Sequence, residues 1–358
     1  MAKLYFIQGL RRWLRDRRNR RFAGFTLIEL LVSLLIGAII TGALLSLVVD
    51  LTENNQRDTA RSETQRDMQL AMNYISQELR EAVYVYDGDC LQGAGAITDA
   101  QQFATSCPGI VNHIPTNLST GTSTPVLAFW RVDPLPEPLR QQCENAARAS
   151  QTQLNTLVNN GIPCVSGRSY TLVVYAFVDD TSTTDIWQGK GRIVRYQLSQ
   201  FDSNGNANPG WVDPLPDSGS NFQQWPYRLV SGIPALPTGY IRPTGNADVL
   251  VDFVDDAPAQ AACTTPSVRT PNITPVPSFY ACVRGNTRLA QVGNTAAGIA
   301  PDPNDLGVNQ EVLVVLTGNA AGRAGIPVNT VGDNSVSTRL APLQTRVLTR
   351  GIVNKNPR

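Results

Sequence analysis

The chain has 358 residues, of which 42% are hydrophobic and 16% charged, which suits one large folded domain or two modest ones and excludes a wholly disordered chain. Its net charge of +1 conceals an asymmetry: the first 24 residues hold eight Lys and Arg against Asp16 alone, a net of +7, so the other 334 carry −6. A mildly acidic body of this kind offers no surface for neutralising phosphates, and a nucleic-acid partner is not expected.

The first element is the basic stretch from Lys3 to Arg21, followed by FTLIELLVSLLIGAIITGALLSLVV at residues 25–49. Leu30 to Val49 is a run of twenty residues without a charge. As a helix it is about 30 Å long, the thickness of a bilayer's hydrocarbon core. Arginines precede it and Asp50 follows it, so the positive-inside rule places the N-terminus in the cytoplasm and the bulk of the chain outside. The run is too long for an ordinary signal-peptide core, and no small-x-small pattern closes it. An uncleaved signal anchor explains the charges and the length equally well. It does not explain Glu29, a carboxylate at the edge of an apolar helix, where such groups are usually paired or functional.

Gly24-Phe25-Thr26-Leu27-Ile28-Glu29, after a basic stretch and before twenty apolar residues, resembles the type IV prepilin cleavage and methylation motif. The resemblance implies that residues 1–24 are a cytoplasmic leader, removed by prepilin peptidase between Gly24 and Phe25. It implies methylation of the new amino group on Phe25, and docking of Glu29 against the N-terminal amine of a neighbouring subunit. A buried carboxylate facing an ammonium is largely compensated, whereas an unpaired one costs several kcal/mol. Major pilins usually carry a proline halfway along this helix; here there is none between Phe25 and Asp87, and only Gly37 and Gly42 weaken it.

Past the membrane half at 25–49, the segment 50–87 is expected to continue as an amphipathic helix. Met68, Ala71, Met72, Ile75, Leu79, Ala82 and Val83 form one apolar stripe, opposite Arg66, Asp67, Gln77, Arg80 and Glu81. Residues 88–358 then form an extracytoplasmic head. Residues 91–123 read as a loop. Strands are predicted over Val126–Val132, Tyr170–Val178, Arg192–Phe201, Asp248–Val254, Glu311–Thr317 and Gln344–Val353. In the second of these, Tyr170, Leu172, Val174, Ala176 and Val178 share a face. A short helix is predicted at 139–158, and residues 255–310 and 319–341, rich in Pro, Thr, Asn, Gly and Ala, read as long connections. A long helix followed by an antiparallel sheet is an α+β arrangement, which is also what a type IV pilin fold implies. Asp67–Gly88 with an early cysteine after it is similar to the large minor pilins of the PilW and J-type pseudopilin group, and more narrowly to the pseudopilins of hormogonium polysaccharide secretion in filamentous cyanobacteria.

Cys90, Cys107, Cys143, Cys164, Cys263 and Cys282 all lie beyond the apolar run, and none forms a C-x-x-C pair. That suits disulfides in an oxidising compartment better than zinc. Six cysteines allow fifteen pairings; the sequential one is favoured because each bridge closes a loop of about twenty residues, worth roughly 3 kcal/mol. His113, the chain's one histidine, reads as a solvated loop residue without metal-ligand spacing. Asp179-Asp180 and Asp255-Asp256 are acidic pairs at strand ends, where solvation is the usual reason for them. Asp202, Asn204, Asn206 and Asp213 are reminiscent of a calcium loop, but glycine stands at its fourth position and Asp replaces the bidentate Glu, so an Asn/Gly turn is simpler.

The expected function is therefore non-enzymatic: a minor pilin or pseudopilin that primes or tips a filament in pilus assembly or polysaccharide secretion. Its expected partners are other pilins, prepilin peptidase and an inner-membrane assembly platform, with no cofactor. The alternative is a signal-anchored extracytoplasmic binding protein with no filament role.

Overall fold

The computed structural model describes residues 24–93, 107–180, 186–215, 220–259, 263–284, 309–324, 326 and 338–350. The leader, apart from Gly24, lies outside the described residues, as do most of 285–310 and 327–337. The chain divides into two compact units, residues 1–56 and 57–358. Helix α1, Leu27–Glu81, begins in the first and ends in the second.

In the first unit every described residue is exposed, including Leu34, Ile39 and Leu45. Among the described residues α1 is the one helix long and apolar enough to cross a membrane. Two hydroxyls of its apolar span are satisfied internally: Ser33 donates to the Leu30 carbonyl (3.0 Å) and Thr41 to the Gly37 carbonyl (2.7 Å). This makes them compatible with lipid, where an unpaired donor is costly.

The second unit is built on two antiparallel sheets. The larger contains β1 (Ala82–Val85), β2 (Ser123–Pro134), β3 (Arg168–Asp179), β4 (Gly191–Ser199) and β7 (Asp248–Val254), in the order β1-β2-β3-β4-β7. The smaller runs β11-β10-β9-β8, from Leu343–Leu348, Glu311–Leu316, Phe279–Arg284 and Val268–Thr270. A separate hairpin joins β5 (Arg228–Val230) to β6 (Ile233–Ala235). The fold class is α+β, as expected, but the head has two principal sheets where one was anticipated.

Met68, Ala71, Met72, Ile75 and Leu79 of α1 pack against both sheets, with Phe129, Val173, Tyr175, Val254, Phe279, Val314 and Val347 in the same core. Burying each large side chain in this stripe stabilises the fold by about 1.5–3 kcal/mol. The far face of the larger sheet has its own core, in which Tyr170, Leu172, Val174 and Ala176 of β3 meet Tyr86, Trp130 and Trp225. The alternation read in β3 is thus real, and both of its faces are covered, which explains its near-continuous apolar sequence.

Three expectations are corrected. The amphipathic helix was expected to reach Asp87, but it ends at Glu81, and Ala82–Val85 pairs with β2 as an edge strand. The Val-Tyr-Val-Tyr run prefers a pleated surface once a neighbouring strand supplies its hydrogen bonds. Within 255–310, read as connection, lie β8 and β9, whose pairings are made with each other and with the distant β10. The helix expected at 139–158 is two helices, α3 (Glu137–Ala149) and α4 (Gln151–Asn159). Ser150 breaks them apart in an extended conformation, its side chain accepting from the Gln153 N–H at 3.2 Å. The short helix α2, Gly88–Gln92, is capped by Asp87, whose carboxylate accepts from Cys90 N–H at 2.8 Å.

Candidate functional site

The N-terminal motif occupies the start of α1. Gly24, Phe25 and Thr26 are non-helical and Leu27 opens the helix. Thr26 is its cap: its hydroxyl accepts from Glu29 N–H at 3.3 Å, while its carbonyl accepts from the N–H groups of Glu29 (3.0 Å) and Leu30 (3.2 Å). Thr26-x-x-Glu29 has the spacing of a capping box, a helix-start signal that the sequence carries locally. Glu29 also lies in the first turn, where the helix dipole favours a negative charge. Phe25 is 77% exposed, and a side-chain carbon built on Gly24 would meet nothing within 4 Å. Neither residue is demanded by the packing of the single chain.

A second cluster fixes the outer part of α1 on the larger sheet. Glu78 points into the helix–sheet interface and is only 6% exposed. Its carboxylate accepts from Arg195 of β4 (Nε at 3.0 Å, Nη2 at 2.7 Å), from Arg131 of β2, and from the hydroxyl of Tyr175 on β3. Burial pushes the Glu78 carboxyl up, but the hydrogen bonds from Arg195 and Tyr175 and the two guanidinium charges outweigh it, leaving the group below its ordinary value. The same burial and the adjacent carboxylate drive the Tyr175 phenol well above its usual range. Three strands thus converge on one helix residue. Glu78 falls three residues after Ile75 and one before Leu79, inside the apolar stripe, and that position was its signal in the sequence.

The other candidate residues lie in the head. The cysteines are joined as Cys90–Cys107, Cys143–Cys164 and Cys263–Cys282, the sequential pairs, with Cα separations of 4.9, 5.4 and 5.7 Å. The two acidic pairs, distant in sequence, meet at one end of the larger sheet, because Asp179 pairs with Gly191 and Gly191 with Val254. Burial and the nearby Asp256 raise Asp179. Asp180 is paired with Arg192, and Asp256 with Lys190 at 3.5 Å. Asp255 is fully buried: it accepts from Asn319 at 2.8 Å and faces Arg339 Nε at 2.8 Å, yet burial still pushes its carboxyl up. Asp180, Asp255 and Asp256 thus form ion pairs at the end of the sheet; the side chains of Asp180 and Asp255 are buried there, whereas Asp256 stays exposed as a strand-end carboxylate does.

His113 is corrected too. It is 7% exposed, not solvated, with its ring edge-on to Tyr227 (5.3 Å) and Tyr240 (5.8 Å). Burial and the neighbouring Arg242 lower its pKa to about 4, so it stays neutral. In the calcium-like segment, Asp202 spends both carboxylate oxygens on its own turn, accepting from Asn204 N–H (2.8 Å), Asn206 N–H (2.9 Å) and Asn206 Nδ2 (3.0 Å). Asp213 accepts from Leu215 N–H at 3.0 Å. The segment is an Asx-type turn, and the four residues are not gathered around a common point by these bonds.

A family profile described as the prokaryotic N-terminal methylation motif matches residues 19–45. No curated protein and no solved structure matches the chain. The match covers the junction of basic leader and apolar helix, the part of the chain in which Gly24, Phe25 and Glu29 stand. Set at the head of a long apolar helix that leads into an antiparallel α+β domain with three disulfides, this motif marks a prepilin peptidase substrate and indicates a type IV pilin-like protein.

Proposed function

We propose that the chain is a minor pilin or pseudopilin, cut between Gly24 and Phe25, methylated on Phe25 and held in the inner membrane by residues 25–49 with its head outside. The observation that carries this reading is Glu29, a carboxylate placed in the first turn of an otherwise apolar span, immediately after an exposed, uncrowded Gly24-Phe25 junction. Once the leader is gone, the new amino terminus is a cation four residues away along the chain, and a neighbouring copy or another pilin supplies the same group to Glu29. Docking in the membrane then compensates a charge that the single subunit leaves exposed to lipid.

A role at the tip or in priming is supported by the head's irregular outline: the disulfide-closed α3–α4 excursion and the β5–β6 hairpin both project side chains that a repeating shaft has no regular place for. The large minor pilins of the PilW and J-type group, and the pseudopilins of polysaccharide secretion, are the subunits this reading resembles most. A deletion strain tests it, scored for surface pilin and released polysaccharide together. Loss of both identifies a core priming subunit, and loss of polysaccharide alone a dedicated secretion pseudopilin. No change in either sinks the filament reading and leaves an anchored binding protein.

A further inference from the structure

Among the described residues the two principal sheets have four edge strands, and three of these are closed or blunted by other parts of the chain. The side-chain amide of Gln310 lies along β1: its Oε1 accepts from Val85 N–H at 2.7 Å and its Nε2 donates to the Val85 carbonyl at 2.8 Å. Arg350 N–H donates to the Ala82 carbonyl of the same strand at 3.1 Å. The pairing of β7 with β4 is bulged, Phe253 has φ 64°, and Asn319 N–H donates to the Phe253 carbonyl at 2.8 Å. β8 is three residues long and lies against α2.

The fourth edge, β11, differs. Its six residues pair with β10 in an unbroken register, and among the described residues Leu343–Leu348 has no strand on its other side. Hydrogen bonds just beyond the strand fix which of its groups face that side. Thr349 N–H donates to the Gln310 carbonyl on the β10 side at 2.9 Å, and Arg350 N–H points the other way, to Ala82. By alternation the N–H and C=O groups of Gln344, Arg346 and Leu348 point out of the open edge, at intervals of about 7 Å. The side chains of these three residues are exposed, Leu348 by 67%, while Leu343 and Val347 on the opposite face pack into the core.

Charge then selects the strand that fits. From Asn334 to Arg358 the chain holds Arg339, Arg346, Arg350, Lys355 and Arg358 and no Asp or Glu, a net of +5. The 334 residues after the leader carry −6 in all, which leaves −11 for residues 25–333. Beside the strand, Glu311 serves two guanidinium groups at once, Arg346 at 3.3 Å and Arg284 at 3.8 Å, so this edge stays cationic. A charge is a common guard of an open edge, but an exposed leucine such as Leu348 is not. A second copy of β11 fits poorly, because antiparallel pairing about its centre sets the two Arg346 side chains opposite each other, and like charges there are destabilising.

We propose that β11 is a docking edge that takes an extended acidic segment of another protein as an added antiparallel strand. Its acidic side chains lie on the Arg346 face and its apolar ones on the Leu343–Val347 face. In such strand addition the main-chain bonds supply affinity and the alternating side chains supply specificity.

The test uses the full chain in nanodiscs of uncharged lipid, titrated into a fluorescent synthetic octapeptide that alternates glutamate and valine, with anisotropy as the readout. The expected result is saturable binding that is lost when the peptide is N-methylated throughout and weaker when lysine replaces glutamate. Leu348→Pro removes one outward N–H without touching a bond to β10, and weakens binding about fivefold. Arg346→Glu, which leaves every backbone bond in place, tests the same edge without proline and reverses the preference between the glutamate and lysine peptides. Binding that survives full N-methylation is charge attraction alone and overturns the proposal, as does equal binding of the two peptides or binding of neither. Self-association of the chain that Leu348→Pro abolishes assigns the edge to a second copy and overturns it equally.

Discussion

Replacing Glu78 by alanine removes the one helix carboxylate on which Arg131, Tyr175 and Arg195 converge. The side chains of Arg131 and Arg195 are 17% and 13% exposed, so the substitution takes the shared carboxylate from two nearly buried guanidinium groups and leaves them Asp133 and Gln197 respectively. Removing one partner of a buried ion pair costs about 3–5 kcal/mol. For a unit as large as residues 57–358, each kcal/mol moves the midpoint by about 2 °C, giving an expected loss of about 6–10 °C. The assay is thermal unfolding of the detergent-solubilised chain followed by near-ultraviolet circular dichroism, which reads buried aromatic residues such as Trp130 and Trp225 and is blind to the apolar span. Glu81→Ala, on the exposed side of the same turn, is the control and stays within about 0.5 kcal/mol. Comparing the wild type with Glu78→Gln across pH supplies the sign. The folded carboxyl is held below 4.5, so its contribution is fully present above that pH and is lost as pH falls through the lower folded value. Glu78→Ala melting together with Glu81→Ala, or a Glu78→Gln difference that grows as pH falls, refutes the clamp.

Three further outcomes follow from the packing. Replacing Cys143 and Cys164 together by serine opens a loop with a sequence separation of 21 and costs about 3 kcal/mol by the same melting assay, because α4 contributes no buried residue to replace the constraint. Tyr86→Phe strips the partner from Trp130 Nε1–H (2.9 Å) and from the Phe222 carbonyl, both inside the outer-face core, at about 1–3 kcal/mol; a neutral result means these groups find other partners. Gly318→Val places carbon against Met68 Cγ, 2.8 Å from the nearest β position, and Thr64 Cγ2, and destabilises by about 1–3 kcal/mol in chemical denaturation. Gly37→Ala and Gly42→Ala meet open space and leave that unfolding curve unchanged.

The sequence was most legible where its signal is local. The apolar span, the Met68–Leu79 stripe and six strands rest on periodicity that each segment carries alone, and all five stripe residues on the helix are buried. It was least legible where partners are distant. Ala82 and Val83 extend the helical spacing of the stripe, and only the backbone of Phe129 to Arg131 turns them into a strand. Phe279–Arg284 has the composition of a strand, but the prolines and threonines before it mask a pairing made with residues 311–316. The acidic pairs showed the same limit: each looked like a solvated strand end until β4 brought both to one place. Glu78 was hidden for a different reason. A glutamate within a helix ordinarily faces water, and only the two arginines opposite it make burial favourable.

The central claim, that this is a processed pilin-like subunit, is tested most directly at the N-terminus of the protein purified from membranes of a strain with its own prepilin peptidase. Intact-mass and N-terminal peptide analysis should find a chain that begins at Phe25 and carries one methyl group on its amino nitrogen, and should find the leader still attached when the peptidase gene is deleted. A chain that begins at Met1 in the wild-type strain, or one cut beyond the apolar span, contradicts the account.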